Sequence, residues 1–201
     1  MAMGAATVAA AVSVGASAIP PATAAPAAQA ASAAQAAASN SGSAKYLASL
    51  RWYQELVDSV TAQVVALYPN AYLLEIDGVS PTGLVGSVFG VTSWRFDFNA
   101  VNADDREIVI QATVDLPSTT ASIHVMEGSW SGSSFLTDPV QMSAVHAGVL
   151  LRQAGYTEPF RFVTYRQPNQ SSFDPHPLYI FDQGEHGFIG VDTVTGEVGP
   201  L

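Results

Sequence analysis

The first 44 residues carry no charged side chain, while all seven basic and all seventeen acidic residues lie from Lys45 onward. A segment with 21 alanines, interrupted by Pro20, Pro21 and Pro26, buries too little to offset the entropy of ordering, so folding has to begin near Lys45. Gly4 to Ala18 is weakly apolar and is followed by the small-residue sites Ala16-Ser17-Ala18 and Ala22-Thr23-Ala24, the pattern that signal peptidase cleaves. Residues 1–24 therefore read as a signal peptide, though without the basic residues that usually open one, and residues 25–44 as a disordered Ala/Ser/Pro-rich linker. The apolar stretch ends at Pro20-Pro21 and is rich in Ala and Ser, a poor composition for a spanning helix. The expectation is a secreted or extracytoplasmic protein with no stable membrane insertion after processing.

The 157 residues that follow are enough for one ordinary domain or two small packed units. Without cysteine, disulfides, thiolate catalysis and Cys-ligated metals are excluded, and stability must come from packing. A net charge of −10 with no Lys/Arg cluster argues against nucleic acid as a partner.

Apolar residues at Leu50, Tyr53, Val57, Val60, Val64 and Leu67 alternate steps of three and four, one stripe along a helix over 45–68 that Pro69-Asn70 stops. Three or four strands are expected, at 71–77, 93–98 and 107–114 with 121–126 as the candidate fourth, and Trp94, Phe96 and Phe98 share one face of the second with Arg95 and Asp97 on the other. Asp138, with Pro139 after it and Gln141 three residues on, has the form of a helix cap, predicting a second helix that runs to Gly155. Three further strands follow at 160–166, 178–181 and 188–194. Helices followed by consecutive strands cannot supply parallel crossovers, so the fold class is α+β: two helix-then-antiparallel-strands units, 45–136 and 137–201, that can pack as a pseudo-repeat.

Two stretches carry a resemblance. An aromatic strand from Leu178, a polar turn and Gly190-Val191-Asp192-Thr193-Val194-Thr195-Gly196-Glu197-Val198 resemble the closing hairpin of a PepSY-type domain. The helix ending in Tyr68-Pro69-Asn70-Ala71 before a strand is similar to the opening of the same domain. The resemblance implies PepSY/cystatin-like units, a secreted module without catalysis or cofactor, and a protein partner; such domains are associated with propeptides and with restraint of peptidases.

No motif fixes a reaction. Gly128-Ser129-Trp130-Ser131-Gly132 fails the spacing of a nucleophile elbow, and Gly83, Gly86 and Gly90 lack the lysine and helix of a phosphate loop. Asp174, His176, Glu185 and His186 lie in neighbouring connections and are the candidates for a metal, although two histidines a strand apart have no metalloenzyme spacing. Trp52, off the helical stripe, and Trp130, in a loop, are the candidates for partner contact. Three classes of function fit: a secreted non-enzymatic protein that binds, and restrains, an extracellular peptidase; an envelope module for a small molecule or cation; and an α+β-cone enzyme using His124, His146 or Asp115.

Overall fold

A helix over residues 51–67 (α1) opens the folded region in the computed structural model, which describes residues 48, 51–130, 135–136, 140–168 and 176–201. The expected leader and linker, and Asp174, lie outside the described residues. The stripe behaves as its spacing demands: Tyr53, Val57, Val60 and Val64 are buried, joined by Leu56. Leu67, the last residue of the stripe, turns to solvent instead. On the outer face Arg51 Nε donates to Glu55 at 2.8 Å, a contact between neighbouring turns that adds a few tenths of a kcal/mol, roughly.

Eight strands follow: β1 (Tyr72–Val79), β2 (Ser93–Val101), β3 (Glu107–Asp115) and β4 (Ser122–Glu127), then α2 (Ala144–Gln153), then β5 (Phe162–Arg166), β6 (Leu178–Asp182), β7 (Phe188–Asp192) and β8 (Val198–Pro200). They form one open sheet in the order β4-β3-β2-β1-β5-β6-β7-β8, with every neighbouring pair antiparallel. The architecture is α+β, and a single sheet runs through both expected units. The residues from Ser43 to Leu201 belong to one unit.

Two sequence expectations need correction. The second helix begins at Ala144 rather than after Asp138: Ser143 is its cap, accepting from the His146 amide at 3.1 Å. Asp138 and Pro139 lie outside the described residues, and Gln141 precedes the helix. The second run also holds four strands, not three. The Thr195-Gly196 turn sends the chain back as β8, a strand so short and so rich in Gly and Pro that it has no periodicity to read.

Period-two alternation sorts the strands onto two faces. Trp94, Phe96, Phe98, Ile76, Val163, Tyr165, Tyr179 and Phe181 point to one face and join the buried residues of both helices in a single core. Tyr53 of α1 meets Trp94 edge-on, ring centres 5.2 Å apart. The Tyr179 hydroxyl donates to the Met142 carbonyl at 2.7 Å and lies 3.3 Å from the Tyr53 hydroxyl, so both phenol tips are satisfied, whereas the buried Trp94 Nε1 has no hydrogen-bond partner among the described residues. Burial pushes the titration of both phenols above the ordinary tyrosine range, keeping them neutral. Gly78, opposite Trp94 in the ladder, has no room for a side chain: a Cβ there stands 2.7 Å from the Trp94 ring and 2.9 Å from Val91. Gln63 of α1 ties the helix to the β3–β4 connection, donating to the Thr119 carbonyl and accepting from the Ala121 amide, each at 3.0 Å.

Among the described residues no helix is long and apolar enough to cross a membrane.

Candidate functional site

The other face of the sheet carries the residues that alternate with the core. Ladder register sets them in two adjacent rows across β3, β2, β1 and β5: Gln111, Asp97, Glu75 and Arg166 in one, Thr113, Arg95, Asp77 and Thr164 in the next. A bulge between Leu73 and Glu75 sets this phase. Without it, the acidic residues of β1 would point into the core, because a one-residue slip exchanges the two faces.

The rows meet in a charged cluster. Arg95 donates through Nε to Asp97 at 3.0 Å and through its terminal nitrogen to Asp77. The Thr164 hydroxyl gives Asp77 a further hydrogen bond at 2.5 Å. Arg166 approaches Glu75 only to 3.9 Å. One oxygen of Glu75, one of Asp97 and the Nε of Arg166 are buried without a hydrogen-bond partner. Three carboxylates face two guanidiniums, so one negative charge is uncompensated when all are ionised. Burial pushes the Glu75 carboxyl up to about 7, and Asp77 beside it adds to the rise while Arg166 opposes it. Burial likewise raises Asp97, against the pull of Arg95 and a hydrogen bond from Gln111.

This cluster floors one half of a cavity of about 850 Å³, which Glu75, Asp77, Arg95 and Arg166 line together with Thr113 and Thr164. The other half is apolar, walled by Val79, Phe162, Ile180, Phe188 and Leu201. Phe188 and Leu201 are 49% and 64% exposed, an arrangement that leaves oily surface in water around an opening. The rings of Phe162 and Phe188 lie 6.3 Å apart. Gly190 admits the C-terminal residue over the sheet, since a Cβ on Gly190 stands 2.8 Å from the Leu201 side chain.

Glu75, Asp77 and Asp97 also bring carboxylate oxygens within 4.8 Å of one another, close enough to hold a cation. Two of the three already accept from Arg95.

None of the described candidates for a metal, for catalysis or for partner contact lines this cavity. Trp52 is half-buried at the margin of the core, its ring centre 6.3 Å from that of Tyr53, on the helix side. Trp130 follows β4, half-buried. His176 Nδ1 lies 3.0 Å from Asp192 Oδ2, whereas Glu185 and His186 sit exposed in the turn between β6 and β7. The five residues of β6 separate that turn from His176, a span of roughly 16 Å, so the three described metal candidates do not converge. His124 on β4 and Asp115 at the end of β3 are exposed, and His146 is in the first turn of α2, on the helix side. The signal for the true cluster was present: charges inside apolar strands, as in Leu74-Glu75-Ile76-Asp77 and Trp94-Arg95-Phe96-Asp97, are costly unless paired.

Compared with family models, curated proteins and solved structures, the chain finds no match.

Proposed function

We propose that the protein is an extracytoplasmic binding module that takes a small amphipathic molecule in the cavity on the helix-free face of its sheet. The observation that carries this reading is the division of one roughly 850 Å³ space into an apolar wall and a charged floor. That volume falls in the range of small-molecule sites, which combine mostly apolar lining with a few placed polar groups.

The two-unit architecture belongs to the same reading. Each helix precedes four consecutive antiparallel strands, and the first strand of each run, β1 and β5, pair at the centre of the sheet. The charged floor comes from β1, β2 and β5, and thus straddles the seam between the two runs. A site at such a seam needs both units. The stretch that resembles PepSY domains is a turn built locally, with Asp192 Oδ1 accepting from the Val194 and Thr195 amides at 2.7 Å. Any turn of that sequence makes these bonds, so the cavity, not the turn, supports the functional reading.

A neutral fluorescent probe, N-phenyl-1-naphthylamine, tests it. Titrated into the full chain, it should show saturable enhancement that Phe162→Asp weakens at least tenfold. Phe89→Asp, which charges an exposed apolar residue outside the cavity, should leave it unchanged. Equal losses from both variants, or no saturable binding, refutes the reading.

A further inference from the structure

Resting on that reading, we infer that the ligand is an organic ammonium: a protonated amine carried on an apolar body, its cationic head on Glu75 and Asp77 and its body against Phe162, Ile180 and Phe188.

Glu75 and Asp77 both face the cavity, and Asp97 lies beneath them. The three carboxylates outnumber Arg95 and Arg166, and the missing positive charge is what a cationic head supplies. Glu75 is 93% buried in the sense that 7% of its surface is exposed, and its Oε2 accepts no hydrogen bond. This oxygen faces the Arg166 guanidinium at 3.9 Å, too long for a hydrogen bond; an acceptor left open in this way is costly, and a donor that reaches it removes the cost. An ammonium that donates to two carboxylates at about 2.8 Å spans oxygens up to about 4.6 Å apart, in keeping with the 4.8 Å limit of the acidic group.

Rival head groups fit less well. An anion meets Arg95 already held by Asp77 and Asp97; Arg166, 3.9 Å from Glu75 and with its Nε open, is the one donor left to it, against three carboxylates. A metal ion taking all three carboxylates at 2.0–2.6 Å, roughly, has to displace the Arg95 guanidinium from two of them, and it makes no use of the apolar wall. An ammonium uses the remaining lone pairs of Asp77 and leaves Arg95 in place.

A proton is exchanged on binding. The charged groups around Glu75 are Asp77 on its own strand, Arg95 and Asp97 on β2 and Arg166 on β5. With its carboxyl titrating near 7, Glu75 has to release a proton to solvent to receive a cation. Affinity for an ammonium therefore rises with pH, by about tenfold between pH 6 and pH 8.

Calorimetry with three isosteric probes tests the inference: phenethylammonium, 2-phenylethanol and phenylacetate, each titrated into the full chain. At pH 8 the ammonium should bind at least tenfold more tightly than the alcohol, and the acid more weakly than both. Its affinity should fall about tenfold at pH 6. Glu75→Gln should flatten the pH dependence of the ammonium and, at pH 8, weaken it about tenfold more than it weakens the alcohol. If the alcohol equals the ammonium, or phenylacetate binds most tightly, the ammonium class is wrong and the cavity reading stands. If none of the three binds while the naphthylamine probe does, the inference again fails alone; if the naphthylamine also fails, both fall.

Discussion

Replacing Glu75 with glutamine should stabilise the fold at pH 8 and leave it nearly unchanged at pH 4. The carboxyl titrates at 4.5 in a solvated chain and at about 7 in the fold, chiefly because burial disfavours its charge. A raised carboxyl means that the folded state holds a proton the unfolded state has released, so stability falls as pH rises from 4.5 to 7. At about 1.4 kcal/mol for each pH unit, this gap is worth about 3 kcal/mol. Glutamine mimics the protonated form and carries no such loss. The difference in unfolding free energy between variant and parent should therefore grow from near zero at pH 4 to about 3 kcal/mol at pH 8, mostly between pH 4.5 and 7. Neighbouring groups do not imitate this window. Asp97, also raised by burial, is common to both proteins. Asp192 is partly desolvated, but amides from Thr195 and Val194 and the His176 ring hold it low; its contribution is present above the ordinary Asp value of 3.8 and is lost on acidification below it. Urea unfolding followed by circular dichroism at pH 4, 5, 6, 7 and 8 measures the difference directly. A constant gap, or a variant less stable at pH 8, would show that Glu75 is not held neutral by its surroundings.

Gly78→Ala should destabilise by about 1–3 kcal/mol, because its methyl overlaps the buried Trp94 ring; the urea midpoint reads the loss, and an unchanged midpoint would mean that the ring yields freely. Tyr179→Phe should cost about 1–3 kcal/mol by orphaning the Met142 carbonyl, whereas Tyr53→Phe keeps that bond and should cost less in the same unfolding assay. Asp192→Ala removes the acceptor for two turn amides and should cost about 1–2 kcal/mol at pH 7. Asp192→Asn keeps an acceptor there and should recover most of that loss in thermal unfolding.

Periodicity was a good guide where a face is uniformly apolar. Tyr53, Val57, Val60 and Val64 announce α1, and Trp94, Phe96 and Phe98 announce the inner face of β2, because three- and four-residue steps and strict alternation survive in the linear sequence. The start of α2 was not legible, since Asp138-Pro139 has the form of a cap while Ser143 performs the capping. The candidate site was half legible. Arg95 and Asp97 could be assigned to the face opposite the core, but Glu75 and Asp77 come from another strand and Arg166 from a third, nearly a hundred residues along the chain. Their meeting depends on long-range register and on one bulge in β1, and neither leaves a local mark. The three described metal candidates lie apart for the same reason: Glu185 and His186 are near His176 in sequence, but β6 carries them to its far end.

Among the described strands, the hydrogen-bonded ladder between β1 and β5 is the pairing that joins the first four to the last four, extended by the single bridge between Val85 and Phe160. Divided between Glu127 and Ala144, the chain yields two fragments, each with a bare inner strand whose amides and carbonyls need a partner. Expressed singly, such fragments should clump; produced together, they should zip along that line and regenerate both the fold and its ligand uptake. Fragment complementation thus gives a way to switch the cavity on and off by supplying or withholding one piece.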